Sequence, residues 1–590
     1  MQIRILLFLI ILFYGILIYR VYDLSVLSYQ KYNKLAKHNI IKIIPLAPVR
    51  GVIYDRYHTP LAVNELRFDL TIKPHLKDRE LNSTINDIAA VLDVNKTKIY
   101  KEYKKEDSPF VNKNIPVVRY LSEDDVYKIE PILSLNDNIG FETTYLRNYP
   151  YKIFLSNVLG YVARANKKDL QRNPVIQYTQ VAGKRGIEKY YDNILQGSLG
   201  EKKVLVNARN QVLKVLKVTP PKTHSITLTI DKNLQQAIYD KMVKDNKKGA
   251  VVVMKTDGEI LALVSVPSYD NNLFVKGISY KKWYELSHNV YNPLLNKPVS
   301  GLYPPGSTIK PAEALIAIAS GKWNPWKKIN CPGYMILGNR KFRDWNPWGH
   351  GQTNIIKAIK ESVDTYFYQV GLKLGIDYLA KNFKRIGFGK KTGIDLPNEK
   401  AGIVPSRKWK ALKYHQPWFL GETLNVSIGQ GYFLVTPLQI ADDTALLATG
   451  KLPRPFVALK IDNNKTKPIL RDVLTSKEKK SLWIVRKGMW EVCNSPGGTA
   501  TKYIHTKITI AGKTGTAQVY TVPEEVKEEH IKKEIKYFLR PQAWLTTFGP
   551  YKHPQYIVTV LVEHGGDGGR ACGDIVSFVY NYLVNHGYIK

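Results

Sequence analysis

The chain opens on one unbroken apolar run and does not repeat it. From Ile5 to Tyr19 (Ile5-Leu-Leu-Phe-Leu-Ile-Ile-Leu-Phe-Tyr-Gly-Ile-Leu-Ile-Tyr19) every residue except one glycine carries an apolar or aromatic side chain. Carried through Arg20, Val21 and Tyr22, a helix here is about 27 Å long at 1.5 Å per residue, close to the ~30 Å of a hydrocarbon core. Tyr19, Arg20, Val21 and Tyr22 are bulky where a cleavable leader needs small residues. The pattern therefore predicts a retained transmembrane helix over 5–22, with residues 1–4 on the cytoplasmic side and the bulk outside. Arg20 and the tyrosines suit its interface.

Residues 23–45 read as a helical stalk, which Pro45-Leu-Ala-Pro-Val-Arg-Gly-Val-Ile-Tyr-Asp-Arg56 breaks. Up to about Pro220, short alternating strands such as Phe68-Asp-Leu-Thr-Ile-Lys73 mix with charged helices. Val218-Thr-Pro-Pro-Lys-Thr-His224 is Pro-broken and marks a boundary. Beyond it, strands are predicted at Ile226–Ile230, Gly249–Met254 and Ile260–Val266, the last two joined through Lys255-Thr-Asp-Gly258. Helical periodicity dominates from Lys310 to about Gly450. Strand patterns return at Ile508–Ile510, Ala543–Phe548 and Tyr556–Val562, and Asp574–Asn585 reads as a helix. Strands at both ends of a helical middle predict an α+β domain whose sheet joins early and late segments. The expected organisation is a span over 5–22, one domain over 23–220 and a second over 221–590.

Composition changes this picture in one respect. At 590 residues the chain exceeds a single core, and apolar and charged fractions are those of a folded protein. The charge balance is unusual: 87 Lys+Arg against 50 Asp+Glu, a net +37. That excess implies anionic partners, but with an N-terminal span the partner is expected to be a lipid or wall polymer rather than nucleic acid. Cys331, Cys493 and Cys572 are an odd number and define no disulfide framework.

Candidate chemistry lies in three short patterns. In Tyr303-Pro-Pro-Gly-Ser-Thr-Ile-Lys-Pro311, Ser307 and Lys310 are three apart, so on a helical turn an amine shares a face with a hydroxyl. A serine is a poor nucleophile until a neighbour takes its proton. S-x-x-K recurs at Ser28/Lys31, Ser279/Lys282 and Ser476/Lys479, on polar stretches. Glu361-Ser-Val-Asp-Thr-Tyr-Phe-Tyr368 adds Ser362 and Asp364, a pattern also met at Ser122/Asp124 and Ser268/Asp270. Ile508-Thr-Ile-Ala-Gly-Lys-Thr-Gly-Thr-Ala517 places Lys513-Thr-Gly-Thr516 after an apolar strand signal. A second copy, Lys391-Thr-Gly393, has no such strand and no fourth threonine.

Singly these patterns are weak, but their order, S-x-x-K, then S-x-[ND], then K-T-G, resembles that of penicillin-binding proteins and serine β-lactamases. Arg50-Gly-Val-Ile-Tyr-Asp-Arg56 with Leu61-Ala62, and Gly186-Ile-Glu-Lys-Tyr-Tyr-Asp192 with Leu195 and Gly197, resemble the opening and closing elements of the class B pedestal domain. Leu228-Thr-Ile-Asp231, Gly393-Ile-Asp-Leu-Pro397, Ile428-Gly-Gln-Gly431 and Thr436-Pro-Leu-Gln439 are similar to stretches of its transpeptidase domain. One departure is Tyr57-His58 where that family usually has a glycine. Asp364 in the second motif favours the elongation-specific branch over the division-specific one.

The resemblance implies an elongated α+β pedestal over 23–220 and a penicillin-binding, serine β-lactamase-like transpeptidase domain over 221–590. It implies Ser307 as nucleophile, Lys310 as its base, Ser362 as proton relay and Lys513 as a further catalytic cation. Asp364, Thr514, Gly515 and Thr516 are implied to bind substrate. The expected substrates are peptidoglycan stem peptides and their lipid-linked precursor, with β-lactams as covalent ligands. The membrane, a rod-shape membrane polymerase and other elongation-complex proteins are the expected partners, with the bulk of the chain outside the inner membrane. The chemistry requires no cofactor. Arg343-Asp-Trp-Asn-Pro-Trp-Gly-His-Gly351 resembles a segment that carries zinc ligands in some members, which makes Asp344, His350 and Cys331 a candidate zinc set, although Val363 stands where a further cysteine is expected. The three motifs alone do not separate this reading from a D,D-carboxypeptidase or a serine β-lactamase. The long pedestal and the retained span favour the transpeptidase.

Overall fold

The computed structural model describes residues 2–109, 111, 113–207, 212–518 and 537–590. Its contacts group the chain into two compact units that interleave in sequence. One holds residues 1–51, 165–180 and 193–224, and the other holds the rest.

The first unit begins with the helix α1, Gln2–Tyr22, extended by a wider turn over Asp23–Leu27. Ile3–Leu27 is long and apolar enough to cross a membrane, and none of it is buried against the rest of the protein. The helix exceeds the expected span because Arg20 pairs with Asp23 at 2.6 Å, so the charges past Tyr19 satisfy each other without ending it. A helix over Tyr29–Ile40 leads into an antiparallel sheet of Ile41–Leu46, Gly200–Val206 and Val212–Thr219. Thr219 ends that last strand because Pro220 and Pro221 cannot extend it.

The second unit is built on two larger sheets, beside several two-stranded ones. A mixed seven-stranded sheet takes Ile53–Tyr54, Pro60–Ile72, Ile115–Leu121, Ile139–Asn148 and Ile226–Leu228 from the first half of the chain and Ala458–Ile461 and Asn464–Lys465 from the second. At its start, Asp55 Oδ1 accepts the Tyr57 and Thr59 amides at 2.9 and 2.7 Å. His58 takes φ 67°, the left-handed conformation that a glycine adopts at least cost. Further along, Glu188 is fully buried and accepts from Arg147 Nε at 2.7 Å.

The other sheet has five antiparallel strands: β1 (Gly249–Lys255), β2 (Ile260–Val266), β3 (Ala511–Ala517), β4 (Gln542–Gly549) and β5 (Tyr556–Val562), in the order β2-β1-β5-β4-β3. The early hairpin thus pairs with a late strand, Val251 opposite Val560, and the late strands pair with one another, Lys513 opposite Thr546. Every residue of β2, β4 and β5 is buried, as expected of strands covered on both faces. One correction concerns β3. The apolar triplet Ile508–Ile510 is not the strand; Lys513-Thr-Gly-Thr516 itself is. The strand is an edge, so its polar residues need satisfy a neighbour on one side only, and the apolar triplet instead packs ahead of it.

Candidate active site

Three turns converge at the edge strand. Pro305 and Gly306 lead into a tight 3-10 turn, Gly306–Ile309, that carries Ser307. It passes directly into α2 (Lys310–Ala319), whose first residue is the fully buried Lys310. Gly306 sits at φ 54° and donates its amide to Gly429 O at 2.9 Å. A Cβ on Gly429 would lie 2.1 Å from Gly306 O, so the Ile428-Gly-Gln-Gly431 turn can brace the nucleophile turn only with glycine there. Gln430 Nε2 reaches on to Thr516 O at 3.4 Å. Gly515 faces the same turn: a Cβ there would meet Thr308 Cγ2 at 2.9 Å and Pro305 O at 3.0 Å.

Lys310 is the electrostatic hub. Its Nζ donates to Asp364 Oδ1 at 2.6 Å, to Ser362 O at 2.8 Å and to Ser362 Oγ at 3.4 Å. Ser362 holds φ 59°, a strained choice for a non-glycine residue. That conformation turns both its carbonyl and its hydroxyl towards the amine. Asp364 opens α3 (Asp364–Leu374), and its second oxygen accepts the Trp345 amide at 3.3 Å. Lys513 lies on β3, fully buried, with Nζ on Thr514 O at 2.9 Å. Burial, reinforced by the positive charge of Lys310, drives its pKa well below the ordinary lysine range. Thr514 Oγ1 shares a hydrogen with Thr499 Oγ1 at 2.6 Å, and the largely exposed Thr516 presents Oγ1 to the Gly568 amide at 3.4 Å.

All the expected catalytic and substrate-binding residues therefore lie around one cleft edge. The repeated S-x-x-K and S-x-D patterns lie elsewhere, with local structural roles. Ser279 caps a helix by accepting the Lys282 amide at 3.3 Å. Ser122 caps another through Asp125 N at 3.2 Å, and Ser268 bonds Ser156 and Asn157.

The residues of the zinc expectation are engaged by protein groups. Asp344 and His350 do meet, Oδ1 to Nε2 at 3.2 Å, but His350 Nδ1 faces Glu361 Oε2 at 3.0 Å, so both ring nitrogens are engaged by carboxylates. Burial opposes a charge on His350. The hydrogen bonds of Asp344 and Glu361 outweigh it and hold the imidazole above its usual pKa. Asp344 Oδ2 is taken by the Thr365 amide and hydroxyl at 2.9 and 3.0 Å. Cys331 turns Sγ to Ile329 O at 3.8 Å, and burial pushes its thiol up. Among the described residues no group of three or more His, Cys, Asp or Glu is placed to hold a metal. The loop braces the second motif, with the His350 ring set between Asp344 and Glu361.

Two site residues were missed in the sequence. Glu313, one turn past Lys310, is fully buried near Ser427, and burial drives its pKa well above the usual range even beside Lys310. The i, i+3 spacing from Lys310 would have flagged it. Trp345, which holds Asp364 through its amide and Glu361 O through its indole N–H at 3.0 Å, carried no signal beyond its neighbourhood.

The comparisons agree with this geometry. Residues 249–580 match the penicillin binding protein transpeptidase domain, and residues 45–225 match the penicillin-binding protein dimerisation domain. The chain is 36% identical over 595 residues to the peptidoglycan D,D-transpeptidase MrdA of Haemophilus influenzae, covering 98% of this chain and 90% of that one. It is 35% identical to the Escherichia coli protein of the same name, covering 98% and 92%. A solved complex of penicillin-binding protein 2 (PBP2) and MreC from Helicobacter pylori superposes with a TM-score of 0.86 at 42% identity, covering 93% of this chain and 99% of that one. Motif order, the lysine-centred cleft and full-length relatedness together place the chain in the class B penicillin-binding protein family, among the PBP2 (MrdA) peptidoglycan D,D-transpeptidases.

Proposed function

We propose that Ser307 is the nucleophile of this transpeptidase and that Lys310, Ser362 and Lys513 serve it. The observation that carries the assignment is the buried Lys310 amine, one helical turn from Ser307 and held by Asp364 and Ser362. In its neutral form Lys310 takes the Ser307 proton as Oγ bonds to the penultimate D-Ala carbonyl of a stem peptide. The oxyanion lies against the amides of Ser307 and Thr516, donors typically worth ~10²–10³ each in rate. Ser362 passes a proton to the nitrogen of the departing D-Ala as the peptide bond breaks. An amine from a neighbouring stem then attacks the ester, and Ser307 recovers its proton as the cross-link forms. Lys513, Thr514 and Thr516 receive the terminal carboxylate, with Gly515 leaving room for it, and Asp364 holds Lys310. Burial holds the Lys513 pKa low, and an arriving carboxylate favours its charged form.

The apolar helix over Ile3–Leu27 anchors the enzyme in the inner membrane, with the folded units outside. The relatedness to a PBP2 solved with MreC supports work beside an MreC-like partner and a membrane polymerase that supplies strands from lipid-linked precursor, in wall elongation. The test is a donor peptide ending in D-Ala-D-Ala, offered with and without an acceptor amine. Stoichiometric D-Ala release with a cross-linked product supports the reading. Release only to water would make the enzyme a carboxypeptidase, and no release would remove the assignment.

A further inference from the structure

Beside the nucleophile turn lies a group of aromatic side chains that the acylation chemistry does not use. The helix Arg407–Tyr414 sets Trp409 against Tyr414, with ring centroids 5.6 Å apart and planes crossed at 73°. Tyr432 closes the triangle, 5.2 Å from each of the other two. Phe419 stands in the loop after the helix, its amide donating to Glu422 Oε2 at 2.8 Å. The buried Lys410, paired with Glu422 at 2.5 Å, places Nζ 4.6 Å from the centroid of the Phe419 ring. One face of that ring is thereby fixed. Phe419 is nevertheless 59% exposed and Tyr414 44% exposed, and Leu420 next to Phe419 is exposed as well. Burying one such apolar side chain contributes on the order of 1.5–3 kcal/mol, so rings gathered and held at the surface mark a place where something docks.

The position of the surface indicates what covers it. Gly429, which braces the nucleophile turn through the Gly306 amide, precedes Tyr432 by a stretch of chain no longer than ~11 Å. Between them Gln430 reaches Thr516 O on the edge strand. A five-residue stem peptide extends to about 17 Å. With its D-Ala-D-Ala end at Ser307, the end joined to sugar falls within reach of the rings. Lys408 and Lys413 are exposed on the same helix. A wall strand matches both features, with the flat C–H faces and acetyl methyls of its amino sugars for the rings and its carboxylates for the lysines. A protein or a lipid need not be present when a stem enters the cleft, whereas the strand that carries the stem always is.

We propose that, given the transpeptidase reading above, Trp409, Tyr414, Phe419 and Tyr432 form a subsite for the N-acetylated sugar strand that bears the stem. The consequence is kinetic. Contacts to a remote, non-reacting part of a substrate raise turnover at the reacting centre, and truncated substrates lose it. A stem freed from its sugars is therefore a poorer donor than the same stem on a strand.

The test uses the full chain in detergent with uncross-linked glycan strands bearing pentapeptide stems, the same pentapeptide free of sugar, and penicillin. D-Ala release from the strands should fall roughly tenfold in a Tyr414→Ala/Phe419→Ala variant, the scale of losing an aromatic anchor. Release from the free pentapeptide and acylation by penicillin should keep their wild-type rates. Tyr414→Phe/Phe419→Tyr, which retains both rings, should behave as wild type throughout. Strands stripped of their stems report the subsite without any chemistry at Ser307. By calorimetry they should bind the wild type saturably and the alanine variant at least several-fold more weakly, so a failure of the acylation reading and a failure of the subsite are told apart. Stem-free strands that do not bind, or that bind both proteins alike, overturn the proposal. Equal losses on strands, free pentapeptide and penicillin also overturn it, because the substitutions would then act on the cleft itself.

Discussion

Lys513-Thr-Gly515 and Lys391-Thr-Gly393 share a sequence and almost nothing of their surroundings. The first lies on an edge strand, its lysine fully buried near a second lysine and its glycine pressed against the nucleophile turn. The second lies in a loop, where Glu399 accepts the Thr392 amide and hydroxyl, both at 2.6 Å, and the Gly393 amide at 3.1 Å. Lys391 is exposed, and Gly393 sits at φ 88°, so its glycine serves the backbone turn rather than a close approach. The difference teaches that a lysine, a hydroxyl and a glycine become catalytic through what the fold brings opposite them. Here that is Ser307 and Lys310, reached because β3 pairs in register with β4.

The comparison sharpens most at the lysine facing the serine. Lys310→Ala removes the base and should slow acylation by ~10²–10⁴, measured as the second-order rate with a fluorescent penicillin and a thermal melt as folding control. Lys513→Ala removes one charge-assisted contact, ~1.5–3 kcal/mol, and should cost about 10–150-fold at 1.36 kcal/mol per decade. Equal losses in the two variants would break the division of roles.

Glu313 tests the burial argument through stability. Its folded pKa is raised, so the protein holds a proton that the unfolded chain releases above ~4.3. Stability should therefore fall as pH rises from that value towards the folded pKa. Glu313→Gln should be more stable than wild type at pH 7 and show a flatter pH profile by chemical denaturation. The smallest effect is expected at the other copy: Lys391→Ala should acylate within about twofold of wild type, and a larger loss would mean the two copies are coupled.

Much of this was legible in advance. The apolar run, the early hairpin and Tyr556–Val562 declared themselves because burial on one or both faces leaves a periodic apolar trace. Ser307, Lys310, Ser362, Asp364 and Lys513 were found through their order along the chain. The strand carrying Lys513 was misplaced by three residues because an edge strand lining a polar cleft hides its period. The candidate zinc set was only partly legible. Asp344 and His350 do come together, but Glu361 faces the other side of the ring, and spacing alone cannot reveal that third group. Nothing in the sequence patterns singles out Asp442 and Asp443, and only the packed fold shows that both are buried.

The central claim is that Ser307 alone forms the covalent link. Intact-mass measurement of the full chain after β-lactam treatment, followed by peptide mapping, tests it directly. The expected result is one adduct per chain on the peptide containing Ser307, and none in a folded Ser307→Ala variant. An adduct that survives this substitution, or that maps to Ser28, Ser279 or Ser476, would contradict the account.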